Sequence, residues 1–294
     1  VLAAAGALRA VLDGEGPKPA YYGIRFKSFE GPTRRRGLRT LGLFVSALGE
    51  LGDGFVVTLP KVTAVEQVEA MVDACARLEE SLGAGPIRFE IQVETPQSIL
   101  GADGTVLVAR MIHAARGRCS GLHYGTYDYS ASCGIAAEYQ SMEHPVADHA
   151  KAVMQVAAAG TGVFCSDGST NVIPVGSAAE VHAAWTLHAR LVRRSLERGF
   201  YQGWDLHPAQ LPTRYLATYA FYRGSLGRAA ARLAAYVGTA TGSGFMDEPA
   251  TAAALAGFVM RGVDCGAVAP DEVASLIGID LPELARLARR PVCG

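Results

Sequence analysis

The chain has 294 residues, half of them hydrophobic, and its 27 basic and 28 acidic side chains leave a formal net charge of −1. That length can bury one α/β barrel or two ordinary domains, and the charge gives no electrostatic case for a nucleic acid or an anionic membrane surface. The six cysteines (Cys75, Cys119, Cys133, Cys165, Cys265 and Cys293) form no C-x-x-C pair, no apolar run approaches a membrane span, and no signal peptide is visible. A reducing, cytoplasmic setting is expected, rather than a disulfide framework or a zinc site.

The opening, VLAAAGALRAVLDGEG, carries no Met and reads as the last turns of a helix, so residues preceding Val1 are expected. YYGIRF is a strand that delivers Arg25 to its C-terminal end. The basic loop behind it holds Arg34 to Arg36, read as solvated in preference to a phosphate contact. A helix over 38–48 leads to the strand 55–59 and the tight exit Pro60-Lys61. Thr63-Ala-Val-Glu66 has the form of a capping box, and Val65, Val68, Val72, Cys75, Leu78 and Leu82 recur behind it at helical spacing.

IRFEIQVETPQ alternates strictly, with Phe89, Ile91 and Val93 on one face and Glu90, Gln92 and Glu94 on the other. Helices cover the outside of a parallel barrel, so the polar face of such a strand points at the axis and Glu94 opens at the C-terminal mouth. A helix over 106–115 and a strand near 122–125 follow, and then Asp128. Two carboxylates leaving the ends of neighbouring strands make a hard-oxygen site of the kind Mg²⁺ prefers. Either one alone reads equally well as a helix cap or the partner of an Arg.

Beyond an irregular stretch, YSASCGIAAEYQSMEHP, come a helix over 146–158 and a strand over 162–166. Asp167 at its exit either hydrogen-bonds a metal-bound water or caps the next segment. Ser177-Ala-Ala-Glu180 is a second capping box, and His182 and His188 on its helix read as packing or surface residues. The last strand, 201–206, ends in His207-Pro208; helices follow at 212–223, 226–237, 247–261, 270–277 and 281–289. Strands and helices alternate through six units, the pattern of a parallel α/β sheet, and an eight-stranded barrel needs two more strands in front. The expected division is a barrel over 1–223 and a helical extension over 224–294. VAPDEVASLIGIDLPELARLARR echoes a helix-turn-helix, but the near-neutral charge counts against a DNA-binding regulator.

With these pieces placed, the chain resembles the citrate lyase β-subunit-like group of the HpcH/HpaI aldolase superfamily, over roughly Tyr21 to Gln210. IRF, LPKV, QVET, GTYDYSASCG and GWDLHPAQ stand in the order of that family's motifs. The resemblance implies a TIM-type (β/α)8 barrel of the phosphoenolpyruvate/pyruvate-binding kind. It implies Mg²⁺ or Mn²⁺ on Glu94 and Asp128, and Arg25 on the carboxylate or developing enolate of a 2-keto or 2-hydroxy acid, with a CoA thioester as one form of the substrate. Lys61 either neutralises the substrate anion or makes a structural ion pair, and Gly125 and Thr126 belong to the substrate-binding turn. Asp247, in GFMDEPA, matches an acid/base presented by a neighbouring subunit, and also reads as a plain helix start with Pro in its first turn. His207 shapes the turn under the site, and His123 is expected to be a satisfied interior histidine.

The implied activity is that of a metal-dependent carbon–carbon lyase or aldolase. The alternatives are other pyruvate-enolate chemistry (phosphoenolpyruvate mutase- or hydrolase-like) and a non-catalytic regulator. A homo-oligomer is expected, without a nucleic-acid or membrane partner. Three departures mark a divergent branch: Gly101 to Val108 lengthens the interval between Glu94 and Asp128, the family's first two strands are not present, and Ser132 to Pro145 has no counterpart.

Overall fold

The computed structural model describes residues 1–238 and 248–289, and the chain divides into two compact units, Val1–Asn171 with Gly199–Leu206, and Val172–Arg198 with His207–Gly294. The first unit carries a parallel sheet of β1 (Tyr22–Arg25), β2 (Phe55–Leu59), β3 (Arg88–Val93), β4 (Cys119–Tyr124) and β5 (Phe164–Ser166), paired in sequence order. Parallel neighbours need a crossover, and helices supply it at every step. Helix α1 (Leu2–Asp13) precedes the sheet; α2 (Arg34–Leu48), α3 (Val65–Leu82), α4 (Pro96–Ile99), α5 (Leu107–Ala114), α6 (Thr126–Ser132) and α7 (Pro145–Ala158) connect the strands.

The period-two pattern sorts the sheet into two faces. Phe55, Val57, Leu59, Phe89, Ile91 and Val93 are buried in one core with Leu41, Met71, Met111 and Met154 from the covering helices. Residues of the other parity meet across the strands: Arg25 opposes Thr58, Thr58 opposes Glu90, and Glu90 opposes Gly121. One pleat further along, Gln92 opposes His123 and His123 opposes Ser166. Two polar rows therefore line one face and run toward the C-terminal strand ends. Gly121 is required by packing, since a Cβ there would collide with the Phe164 ring.

Several elements differ from expectation. The sixth strand is reduced to one parallel bridge, Gln202 with Ser166, backed by Asp167 N–H donating to the Gln202 carbonyl at 2.9 Å. Only a few residues separate Gln202 from Pro208, which has no N–H to extend a ladder. Among the described residues the strands thus make a five-stranded sheet with a single added bridge, and no closed barrel. Ala64, not Thr63, caps α3: the Gln67 side chain accepts from the Thr63 and Ala64 amides at 2.7 and 3.2 Å. The Gly101–Val108 excursion closes on itself through Gly101 N–H to the Thr105 carbonyl and an Asp103–Thr105 turn, leaving Glu94 and Asp128 on adjacent strand exits.

The second unit is helical: α8 (Ala178–Glu197), a 3₁₀ turn at Pro208–Gln210, α9 (Leu211–Tyr236), α10 (Pro249–Asp264), α11 (Pro270–Ile277) and α12 (Leu281–Leu287). Its core joins Leu226, Leu233, Val259, Val273, Ile277 and Leu284. The capping box of α8 forms as expected, with Ser177 Oγ and Glu180 exchanging hydrogen bonds with each other's backbone. The two helices expected at 212–223 and 226–237 are one, running unbroken through Gly224. His207 Nδ1 accepts from the Ala209 amide, so it shapes its turn. His188 bonds Thr213 in the interior, and His182 stacks on Trp185. The helix-turn-helix echo is α11 and α12 about Gly278; its apolar faces are used in the core and its first turns are acidic. No described helix is long and apolar enough to cross a membrane.

A buried ion pair lies beneath the exit of β5. Lys151 Nζ donates to both Asp167 oxygens at 3.0 Å and to the Met142 carbonyl at 2.7 Å. Asp167 in turn accepts from the Gly168 amide at 2.7 Å, which sets the course of the following loop. The Lys151 partner is one that neither reading of Asp167 from the sequence includes. Asp167→Asn should destabilise the fold by about 3 kcal/mol, the low end for breaking a buried pair, because Asp148 remains 3.7 Å from Lys151. Urea unfolding of Asp167→Asn and of Asp167→Asn/Lys151→Met checks this; the second change should recover much of the loss.

Candidate functional site

The ends of β1, β3 and β4 converge on a small pocket of about 160 Å³ lined by Arg25, Gln92, Glu94, Tyr124, Gly125, Thr126, Tyr127, Asp128, Ser169, Trp204 and Leu206. Glu94 is the first residue beyond β3 and is almost fully buried. Asp128 lies beyond β4 in the first turn of α6, a helix that the sequence reading left as irregular chain. Lys61 joins them from the β2 exit. Its ammonium meets Asp128 Oδ2 at 2.6 Å, and its backbone N–H donates to Glu94 Oε1 at 2.9 Å.

Two backbone features make this approach possible. Lys61 sits in the left-handed region at φ 51°, an uncommon conformation for a side-chain-bearing residue, which turns its amide and its ammonium onto different carboxyls. Gly125 passes so close to Glu94 that any Cβ would collide with the Glu94 side chain. Gly125 is thus demanded by Glu94 itself. Thr126 is buried, and its hydroxyl accepts from the Ser169 amide at 3.3 Å.

Charge in this cluster is unevenly shared. Burial, and then a hydrogen bond with Asp128, pushes the Glu94 carboxyl up to about 7. Asp128 loses some hydration as well, but the Lys61 ammonium and the Glu94 hydrogen bond hold it below the usual carboxylate range. Lys61 is raised despite its own desolvation, because Asp128 and Glu94 surround it with negative charge. Below about pH 7 the two carboxyls therefore share one proton, with the Lys61 ammonium and the Arg25 charge both favouring the ionised form of Asp128.

Arg25 reaches in from β1. Its Nη1 donates to Gln92 Oε1 at 3.1 Å, and its guanidinium lies over the Trp204 ring, 5.0 Å from the centroid. Trp204 Nε1 donates to His123 Nδ1 at 2.7 Å, and His123 Nε2 faces Glu90 Oε2 at 2.5 Å. His123 is the satisfied interior histidine that its sequence position suggested.

The structure thus brings together Arg25, Lys61, Glu94, Gly125, Thr126 and Asp128. Asp247 lies outside the described residues. Arg34 to Arg36 are exposed in the first turn of α2. Trp204 and Gln92 were missed as pocket residues. Gln92 carried a signal, its parity with Glu94, whereas Trp204 was quoted in GWDLHPAQ without a role because nothing local shows where its ring goes.

A family model described as a domain of unknown function, DUF6986, matches residues 1–292. The chain belongs to the DUF6986 family. No curated protein matches it in sequence. Among solved structures it is similar to protein CitE from Mycobacterium tuberculosis in complex with magnesium, acetoacetate and coenzyme A, at 19% identity over 88% of this chain and 82% of that one, with a TM-score of 0.58. It is also similar to a magnesium/glyoxylate complex of Haloferax volcanii malate synthase, at 14% identity over 98% and 83%, with a TM-score of 0.51. These likenesses concern the fold, and in fold they bear out the resemblance to the citrate lyase-like superfamily that the motifs indicated.

The raised Glu94 carboxyl has a stability consequence. Its folded value lies above the unfolded one, so the native state holds a proton that the unfolded chain releases, and stability falls as pH rises from about 4.5 to 7. Glu94→Gln mimics the protonated form. In chelator-treated protein it should raise stability at pH 8 by on the order of 2 kcal/mol and change little at pH 4.5. Denaturant midpoints at the two pH values check this; equal effects at both would contradict the assignment.

Proposed function

We propose that this chain is a Mg²⁺-dependent enzyme of the carbon–carbon lyase or aldolase kind, acting on a small 2-keto or 2-hydroxy carboxylate through an enolate. The observation that carries the reading is the Glu94–Asp128 pair, two hard oxygen donors at adjacent strand ends that hold a proton between them up to about pH 7 although Lys61 and Arg25 both act on Asp128. This donor set fits a divalent cation: Glu94 and Asp128 would hold it, leaving positions for water and substrate oxygens. Such an ion, when bound, stabilises negative charge growing on substrate oxygens.

The chain's own groups supply the rest. Arg25 presents a planar fork that suits a carboxylate, a geometry Lys lacks. As the carbon–carbon bond breaks, its electron pair passes into the developing enolate, whose charge Arg25 and Lys61 balance, while the hydroxyl of the other fragment gives its proton to solvent and becomes a carbonyl. The pocket volume suits a short acid. The coenzyme A and acetoacetate of the CitE complex, and the glyoxylate of the malate synthase complex, make acetyl-CoA with glyoxylate the first pair to test, by product analysis with and without CoA.

Two predictions follow from the named roles. Glu94→Gln and Asp128→Asn should each abolish Mg²⁺ binding in calorimetric titration with folding intact; normal binding by both would remove the metal assignment. Arg25→Lys should lower kcat/KM at least a hundredfold, about 2.7 kcal/mol at 1.36 kcal/mol per decade, with little change in stability. The loss should fall on kcat if the contact strengthens as the enolate forms. Near-normal kinetics for Arg25→Lys would take Arg25 out of the site.

A further inference from the structure

Glu90 and His123 are polar, largely buried, and absent from the pocket lining, so neither touches a ligand there. They nevertheless connect to the pocket through a chain whose direction is set by chemistry. An indole N–H can only donate, so the Trp204 contact requires His123 Nδ1 to be an acceptor. The imidazole proton then sits on Nε2, which donates to Glu90 Oε2. Phe164 stands edge-on to the His123 ring at 82°, in the space left by the missing Cβ of Gly121. The imidazole is thus held at both nitrogens and along one edge.

The indole that it holds is the surface on which Arg25 lies. A guanidinium stacks on Trp more strongly than on other rings, and a planar fork binds a carboxylate well only when its plane is fixed. Gln92 fixes one nitrogen of that fork and Trp204 its plane. Gln92 and Glu90 are neighbours of the same parity on β3, and Gln92 opposes His123 on β4. A single pleat therefore anchors both supports.

We infer that the Glu90–His123 pair is a positioning device: it fixes the Trp204 indole, and the indole fixes the Arg25 guanidinium for a substrate carboxylate. The last part of this role rests on the functional reading above. Groups that act as one chain give non-additive effects on removal, whereas independent packing contributions add.

The test uses the full chain, with Mg²⁺ alone and oxalate in the presence of Mg²⁺ as probes, both by calorimetry. Glu90→Gln and Trp204→Phe should leave the affinity for Mg²⁺ alone within about twofold and weaken oxalate tenfold or more. The double variant should be no worse than Trp204→Phe, and in an Arg25→Lys background both changes should be silent. Additive losses, or losses that persist without Arg25, overturn the inference. A second readout needs no ligand: in the NMR spectrum of the free protein, Glu90→Gln should speed solvent exchange of the Trp204 indole N–H and broaden the Arg25 guanidinium signals. If both signals match wild type, the inference fails regardless of any activity. If wild-type protein does not bind oxalate, the functional reading fails and the free-protein spectra still decide the positioning role. Should Glu90→Gln not fold, Trp204→Phe carries the same test on the Arg25 signals, since it removes only an N–H and part of a half-buried ring.

Discussion

Lys61 meets Asp128 with its ammonium and Glu94 with its backbone amide, and the strand ends of the first unit are arranged to permit that double contact. Two carboxyls this close repel when both are charged, so the cluster exists only where the backbone forces it. Parallel pairing of β2, β3 and β4 brings the three exits side by side. The left-handed turn at Lys61 and the bare Cα of Gly125 then remove the last steric obstacles. Local strain and an uncomfortable carboxyl are accepted at one place and offset by the dense core on the other face of the same sheet.

That other face explains why a polar interior row is tolerated at all. The covering helices need only one side of each strand, and the alternation in and just beyond β3 leaves Glu90, Gln92 and Glu94 on the other side without loss of apolar burial. A strand holds Arg25 and a strand end holds Glu94, while Lys61 in its turn and Asp128 in the first turn of α6 are pinned by each other. The buried Lys151–Asp167 pair plays a comparable part beneath Ser169, tying the loop after β5 to α7.

Much of this was legible in the residues. The period-two run through Ile87 to Glu94 named its faces, and the glycine before Asp128 marked the second exit. Local patterns also set most helix limits, because caps and apolar spacing are short-range signals. What stayed hidden was carried by long-range contacts. Whether Lys61 sought a substrate or a side chain depended on Asp128, 67 positions away in the chain, and His123 acquired its partners from Glu90 and Trp204, the latter 81 positions distant. The sixth strand falls short for a related reason: its residues suit a strand, but pairing depends on a neighbour's register, and it is met by the Ser166 bridge and by hydrogen bonds with Asp167 and Gly168. The Gln67 cap on α3 shows the opposite case, a local rule satisfied one residue later than its usual spelling.

The chain contains two tryptophans, and one of them lines the pocket with its ring against a guanidinium and its N–H on an imidazole. Indole emission responds to nearby charge and to the polarity around the ring. The pocket is therefore built with its own optical reporter: occupancy next to Arg25 alters the light emitted by Trp204 without any dye, label or coupled assay. Libraries of small acids can be screened against the pocket by that glow alone.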